Sequence, residues 1–372
     1  MNILIYLKGS LNPDSANGIN TGTIALMNEL SFNPTVNSVV LTSSNKPSYP
    51  FYKIIDRGRF LVYRYKSFPT MVFRIISEIK KSNIIYLSNL YILENTFISL
   101  ICILIGRSYC IVTCASCMPD RKRRSFWKKK LFDLLVQNFV IKKAKYLFVD
   151  SNLETKFVKK DYPFARVKLI RNFVDFIDQS EILYRDPSVI KELTIGYLGR
   201  FSEEKNLLTL LKWIKNLDLH SFDIKLKFKF SGPFDNEYGK EFANTLNYLD
   251  LNNVELTSQV ASSEKNDWFN SIDFFVLQSF SDSGPLVCAE ALRQGRPLIC
   301  SDTAGIDPLD SDVIFMNDNS NSGFNACLKS AIAAYLSNPF ELQEKSKDLF
   351  SRFYSTQANV KEMLKAFSEK LP

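Results

Sequence analysis

Asp282-Ser-Gly-Pro-Leu-Val-Cys-Ala-Glu290 sets two carboxylates eight residues apart around a Gly-Pro pair. The run before it, Asp273-Phe-Phe-Val-Leu-Gln278, is that of a buried strand, and Cys288-Ala-Glu-Ala-Leu-Arg293 after it is helical. Strand, glycine turn and helix start form the arrangement by which parallel α/β proteins aim backbone N–H groups at a phosphate. Gln294-Gly-Arg-Pro-Leu-Ile-Cys-Ser301 then supplies a second turn and strand.

Working outward, short β-branched or aromatic runs alternate with helical patterns along the whole chain. Strands are expected at 2–8, 38–42, 60–65, 84–88, 109–113, 146–150 and 167–171. A second series follows at 194–198, 225–231, 253–257, 273–277, 297–301 and 313–316. Such alternation implies parallel sheets covered by helices. Two series in 372 residues imply two Rossmann-like, doubly wound domains. The expected division is 1–175, a hinge at 176–192, and 193–356, with 357–372 packing back on the first domain.

Composition excludes several classes. An apolar content of 46% and a charged content of 23% are those of a folded soluble protein. The segment from Thr96 to Ile105 is too short for a membrane span and reads as a buried helix. Met1–Leu7 lacks the features of a secretory signal and reads as a first strand. Seven cysteines, mostly in apolar runs, suit a reducing cytoplasm. Cys110, Cys114 and Cys117 have a spacing also found in iron–sulfur enzymes, but the strand-like context favours thiols around a strand end. No Asp-x-Asp pair lies on a suitable loop, so no metal and no cofactor is expected.

The net charge of +8 is local. Residues 121–145 carry +9, and the remainder is close to neutral. Arg121, Lys122, Arg123, Arg124, Lys128, Lys129 and Lys130 surround Trp127, and Leu131, Leu135 and Phe139 recur every fourth residue. A basic helix with aromatics suits an anionic membrane surface. The bland alternative is a domain helix whose apolar stripe packs inward while its lysines are solvated; both readings hold together if the 121–130 run stays free. No nucleic-acid-binding motif accompanies the patch, and nucleic acid is not an expected partner.

The acid block resembles the donor-binding signature of the family-4 retaining glycosyltransferases, which have the GT-B fold of two domains facing a central cleft. Ile195-Gly-Tyr-Leu-Gly-Arg-Phe-Ser-Glu-Glu-Lys-Asn206 resembles the same family's strand, Gly-Arg and Lys-Asn pattern, and Asn17-Gly18-Ile19 its first glycine turn. The resemblance covers nearly the whole chain and is strongest in its C-terminal half. It implies a nucleotide-diphosphate-sugar donor, with Arg200, Lys205 and Asp282 as catalytic residues. It also implies donor contacts from Gly18, Gly199, Thr257, Val260, Ser283, Gly284, Pro285, Leu286, Val287 and Glu290. Glu290 would hold the ribose hydroxyls, Asp282 would face the sugar, and the bonds at Thr257–Val260 would flank the base.

Two departures stand out. The first acid is Asp282, where the family has Glu. The family's N-domain histidine is absent: the single histidine, His220, sits elsewhere, and Cys114 or Ser116 would occupy its place. The implied function is sugar transfer to a lipid-linked saccharide, in assembly of bacterial lipopolysaccharide O-antigen or capsule. The implied location is the cytoplasmic face of the inner membrane. A non-catalytic nucleotide-sugar-binding scaffold and a basic nucleic-acid binder are the alternatives.

Overall fold

The computed structural model describes residues 1–8, 18–42, 60–64, 68–123, 126–174, 190–309 and 311–370. The chain divides into two compact units, Met1–Phe176 with Tyr354–Pro372, and Ile177–Phe353. Most of the expected hinge falls outside the described residues, as do Asn17 and Arg124.

The first unit is a seven-stranded sheet in the order β3-β2-β1-β4-β5-β6-β7. The strands are β1 (Asn2–Leu7), β2 (Asn37–Thr42), β3 (Phe60–Arg64), β4 (Ile84–Ser88), β5 (Ser108–Val112), β6 (Tyr146–Val149) and β7 (Val167–Leu169). Every pairing is parallel, with Ile3 opposite Ser38 on one side and Ile84 on the other. After the exposed Asn2, β1 is buried from Ile3 to Leu7 because both sheet faces are covered. Ile3, Ile5 and Leu7 join one core with Ile24, Met27 and Leu30 of the helix Gly18–Phe32. Leu4 and Tyr6 join the opposite core, with Ile75, Ile98, Ile101, Val140 and Val158 from four helices.

The helix Thr356–Ser368 closes the first core with Val360, Met363 and Phe367. Polar ties fix it there: the Arg171 N–H donates to Asn359 Oδ1 at 2.9 Å, and Lys145 Nζ to the Phe367 carbonyl at 2.7 Å. The terminal segment therefore completes a domain begun at residue 1.

The second unit is a six-stranded sheet in the order β10-β9-β8-β11-β12-β13. Its strands are β8 (Glu192–Leu198), β9 (Lys225–Ser231), β10 (Val254–Thr257), β11 (Phe274–Leu277), β12 (Leu298–Ser301) and β13 (Ile314–Asn317). All pairings are again parallel. From β8 the chain winds one way to β9 and β10, then returns to β11 on the other side. That reversal opens a crevice at the carboxyl ends of β8 and β11, where ligands of open α/β sheets bind.

The alternative reading of the basic segment, an apolar stripe packed inward, is not what the structure shows. Leu131 is 58% exposed, Leu135 72% and Phe139 48%. Helix Phe126–Phe132 passes through a π turn at Asp133–Gln137 into helix Asn138–Lys143. The wider turn carries one extra residue. Gln137, Val140 and Ile141 are the buried residues, and the leucines before them remain outside.

Candidate active site

Two loops build the site of the second unit. After β8 the chain runs through Gly199-Arg200-Phe201-Ser202 into a single 3-10 turn, Glu203–Lys205. Asn206 ends that turn in the left-handed region (φ 57°) and is anchored by its amide on Asn319 Oδ1 at 3.1 Å. After β11 the chain runs through Gln278–Pro285 into helix Leu286–Arg293. The Phe280 N–H donates to the Glu204 carbonyl at 2.9 Å and stitches the two loops together.

Between them Lys205 Nζ donates to Asp282 Oδ2, with the two side chains 12% and 18% exposed. The pair meets at the β8–β11 crevice although 77 residues separate its members. Tyr197 lies beneath it: burial, and then the Asp282 carboxylate, push its phenol well up, so it stays a neutral donor to the Arg200 carbonyl at 2.7 Å. Arg200 itself is 56% exposed and sits 3.6 Å from Glu204. Burial pushes Glu204 up. Hydrogen bonds from its own N–H and Ser202, with the nearby Arg200 and Lys205 charges, outweigh that and lower it.

The turn carrying Asp282 is braced from one side. The Asp282 N–H donates to the Thr303 carbonyl at 3.2 Å and the Gly284 N–H to the Gly305 carbonyl at 3.0 Å. The Ser283 N–H reaches Asp282 Oδ1 at 3.0 Å. The expected row of N–H groups over Ser283–Val287 is therefore narrowed. Those of Ser283 and Gly284 hold the turn, and Pro285 has none. The donors left to a ligand are Leu286 and Val287, in the first turn of a helix whose N-cap, Pro285, offers no side-chain cap.

Glu290 is buried on the same helix, and both its oxygens are engaged. Lys265 Nζ stands 2.9 Å from Oε1 and 3.0 Å from Oε2. Lys265 opens helix Lys265–Asn270, directly after the segment that follows β10. Sequence reasoning missed this lysine. It lies 25 residues before its partner, in no motif, and only the sheet order brings the two together.

At the end of β10, Thr257 Oγ1 shares a hydrogen bond with Ser231 Oγ, which also accepts from Trp268 Nε1 at 2.6 Å. Beyond β9 and β10 lies a cavity of ≈ 470 Å³, bordered by Gly232, Phe234, Asn244, Ser258 and Gln259. Val260 follows Gln259 and is half-buried.

In the first unit, Gly18 is the first residue of its helix. The carboxyl ends of β4 and β5 hold four non-glycine residues in the left-handed region: Asn89 (φ 80°), Tyr91 (59°), Cys114 (49°) and Ala115 (62°). Each such residue costs on the order of 1 kcal/mol, and such strain clusters at functional edges. Ser116 Oγ donates to Asn89 Oδ1 at 2.7 Å across this edge. His220 is exposed in a 3-10 turn of the other unit. Among the described residues no group of three or more His, Cys, Asp or Glu side chains is arranged to hold a metal ion.

The basic run is less uniform than its sequence. Arg121, Arg123, Trp127, Lys128 and Lys130 are exposed. Lys122 is taken up by Asp161 at 2.6 Å. Lys129 folds back onto the Arg121 carbonyl and stands 5.1 Å over the Tyr91 ring.

Comparison with known proteins bears on the crevice directly. Residues 192–331 match the family described as Glycosyl transferases group 1. The second unit carries a glycosyl transferases group 1 domain. The chain is similar to alpha-monoglucosyldiacylglycerol synthase of Streptococcus pneumoniae, 30% identical over 41% of this chain and 35% of that protein. It is also similar to an uncharacterized 41.2 kDa protein in the cps region of Klebsiella pneumoniae, 25% identical over 54% of this chain and 53% of the other. The matches thus span about a third and about half of these relatives' lengths. The crystal structure of the Anabaena protein HepE in complex with UDP and glucose superposes with a TM-score of 0.68 over 99% of both chains, at 14% identity. The fold is GT-B.

Proposed function

We propose that this protein is a retaining glycosyltransferase that moves a sugar from a nucleoside-diphosphate sugar to a hydroxyl of a lipid-linked saccharide. The observation that carries this reading is the Lys205–Asp282 pair at the β8–β11 crevice, inside the glycosyl transferases group 1 domain. Breaking a glycosyl phosphate bond puts negative charge on the departing diphosphate. Lys205 at the crevice, Arg200 exposed at its rim and the N–H groups of Leu286 and Val287 can meet that charge. Arg200 needs only a side-chain rotation away from Glu204 to do so.

Asp282 would then hold the donor sugar's hydroxyls and Glu290 the ribose diol. The base would lie along Thr257–Val260, next to the cavity at Ser258 and Gln259, with Gly199 allowing close backbone approach. No protein nucleophile is required. As the glycosyl bond breaks, the sugar becomes oxocarbenium-like; the acceptor oxygen attacks from the same face, and its proton passes to the leaving phosphate oxygen. This route also dispenses with the absent histidine.

Likeness to an alpha-monoglucosyldiacylglycerol synthase and to an uncharacterized protein of a cps region supports a lipid-linked acceptor in surface-polysaccharide or glycolipid assembly, at an anionic membrane face. Among the described residues no helix is long and apolar enough to cross a membrane.

The test is thermal stabilisation by UDP, GDP, ADP and CMP, followed by turnover with the sugar donors of whichever nucleotide binds. Stabilisation that Glu290→Ala abolishes, with turnover that Lys205→Ala lowers by about 100-fold or more, is the expected result. Nucleotide binding without turnover on any donor would leave a binding scaffold instead.

A further inference from the structure

We propose that the helical face of the first unit formed by Phe68–Lys81, Leu93–Ile105 and Phe126–Lys143 inserts apolar side chains into an anionic lipid surface. This rests on and deepens the membrane reading above by adding the exposed leucines and phenylalanines of three helical segments to the basic run around Trp127.

The exposed apolar side chains are concentrated there. Among the described residues, ten of the sixteen exposed large hydrophobics lie on these three segments, including Phe73 (87%), Leu104 (86%), Trp127 (76%), Leu134 (76%) and Leu135 (72%). The three segments are neighbours. They cover one face of the sheet through a shared core that includes Ile75, Ile79, Ile98, Ile101, Val140 and Ile141. Scattered exposed hydrophobics are ordinary, whereas a concentration on one face marks a binding surface.

Charge selects the partner. Arg121, Arg123, Lys128, Lys130, Lys142 and Lys143 are exposed beside the leucines. Between Phe126 and Lys143 the only acid is Asp133, and it is turned inward. It accepts from the Tyr162 hydroxyl at 2.8 Å and the Tyr91 hydroxyl at 3.2 Å. The π turn achieves this separation, burying Gln137 and holding Asp133 against the two tyrosines while Leu134 and Leu135 face outward. An apolar strip flanked by cations, with Asp133 turned inward, Glu78 buried against Arg74 and Glu94 paired with Lys8, matches a bilayer with anionic headgroups. A second copy of the chain would oppose cation to cation, and a nucleic acid offers nothing to the leucines.

The chain carries its own reporter, because Trp213 and Trp268 are buried and only Trp127 of the three tryptophans is exposed. The experiment uses the full-length protein with phosphatidylcholine vesicles, alone or with about a third phosphatidylglycerol; this fraction is set on the order needed for a leaflet-like surface potential. Binding is measured by flotation at low and high salt, with Trp127 emission and quenching by brominated lipid recorded alongside.

The expected result is a blue shift and quenching on anionic vesicles, and binding that weakens with salt but survives it. Leu134→Ser/Leu135→Ser should weaken binding at least tenfold at unchanged melting temperature. Lys128→Glu/Lys130→Glu should abolish the preference for anionic vesicles. Three outcomes would overturn the proposal: unchanged Trp127 emission on bound vesicles, native binding by the double leucine variant, or self-association that this variant abolishes. Vesicle binding needs no donor, so its failure is separable from failure of the transferase reading, which is scored by turnover on a soluble acceptor.

Discussion

Gly305 offers a test of how the Asp282 turn is held. Its φ of +69° lies where a side chain is strained, and a Cβ built there would stand 2.2 Å from the Asp282 carbonyl oxygen and 2.7 Å from the Ser283 Cα. Gly295, in the same unit, has almost the same φ of +68° but meets nothing closer than 3.3 Å. Replacing either by alanine brings the left-handed penalty, about 1 kcal/mol. Only Gly305→Ala adds an overpacking term of about 1–3 kcal/mol, because the obstacle is backbone. Gly295→Ala should therefore lose about 1 kcal/mol and Gly305→Ala about 2–4 kcal/mol, measured by urea denaturation of the two variants side by side. Relief of the clash also requires the Asp282–Ser283 backbone to retreat by about 1 Å, a misplacement that costs on the order of 100-fold in turnover at a reacting centre. Equal stabilities for the two variants, or native turnover in folded Gly305→Ala, would refute the claim that Gly305 sets the position of Asp282.

Lys205→Ala should lower turnover by about 100- to 1000-fold, as for loss of one electrostatic stabiliser, while leaving the fold intact by circular dichroism. Lys265→Met and Glu290→Gln should each destabilise the chain, and the double-mutant cycle should return a coupling of about 1–2 kcal/mol, since the pair is only partly buried; additive effects would mean that the ion pair contributes nothing. Asp133 has a carboxyl raised by burial, against which the Tyr162 and Tyr91 hydroxyls and Lys122 act. An acid raised in the folded state favours folding most at pH below its unfolded value, about 3.9, and that contribution is lost as pH rises through the folded value. Asp133→Asn should therefore raise the melting temperature at neutral pH relative to the native chain, with the gap closing toward pH 3; a gap that widens on acidification would contradict this sign.

Much of the fold was legible because strands buried on both faces, such as Ile84–Ser88, are nearly continuous apolar runs, while Lys225–Ser231 alternates lysines with buried residues. Ile84–Ser88 and Lys225–Ser231 have the same bounds in sequence and structure, and the other eleven strands differ by one or two residues at their ends. Strand ends drift where an end residue is tied through a side chain: the N–H of Asp150, last in its run, donates to the Glu154 carboxylate, and the carboxylate of Asp273, first in its run, accepts from the Thr194 N–H. The Leu131, Leu135 and Phe139 series shows a different limit. Periodicity announced a face but not the side it takes, and the π turn that decides this has no local signature. The lysine on Glu290 was invisible for another reason, since no rule of spacing links a helix start to an acid two elements later.

The helix Thr356–Ser368 has a consequence for the chain's birth. Its Val360, Met363 and Phe367 complete a core whose first strand is Asn2–Leu7. A ribosome adding about 5–20 residues per second needs roughly 10–40 s to make the intervening Ile177–Phe353 unit. For that interval the first domain exists without its last wall, with Ile24, Met27 and Leu30 uncovered on that side. The second domain, contiguous in sequence, can finish first, so the order of maturation reverses the order of synthesis.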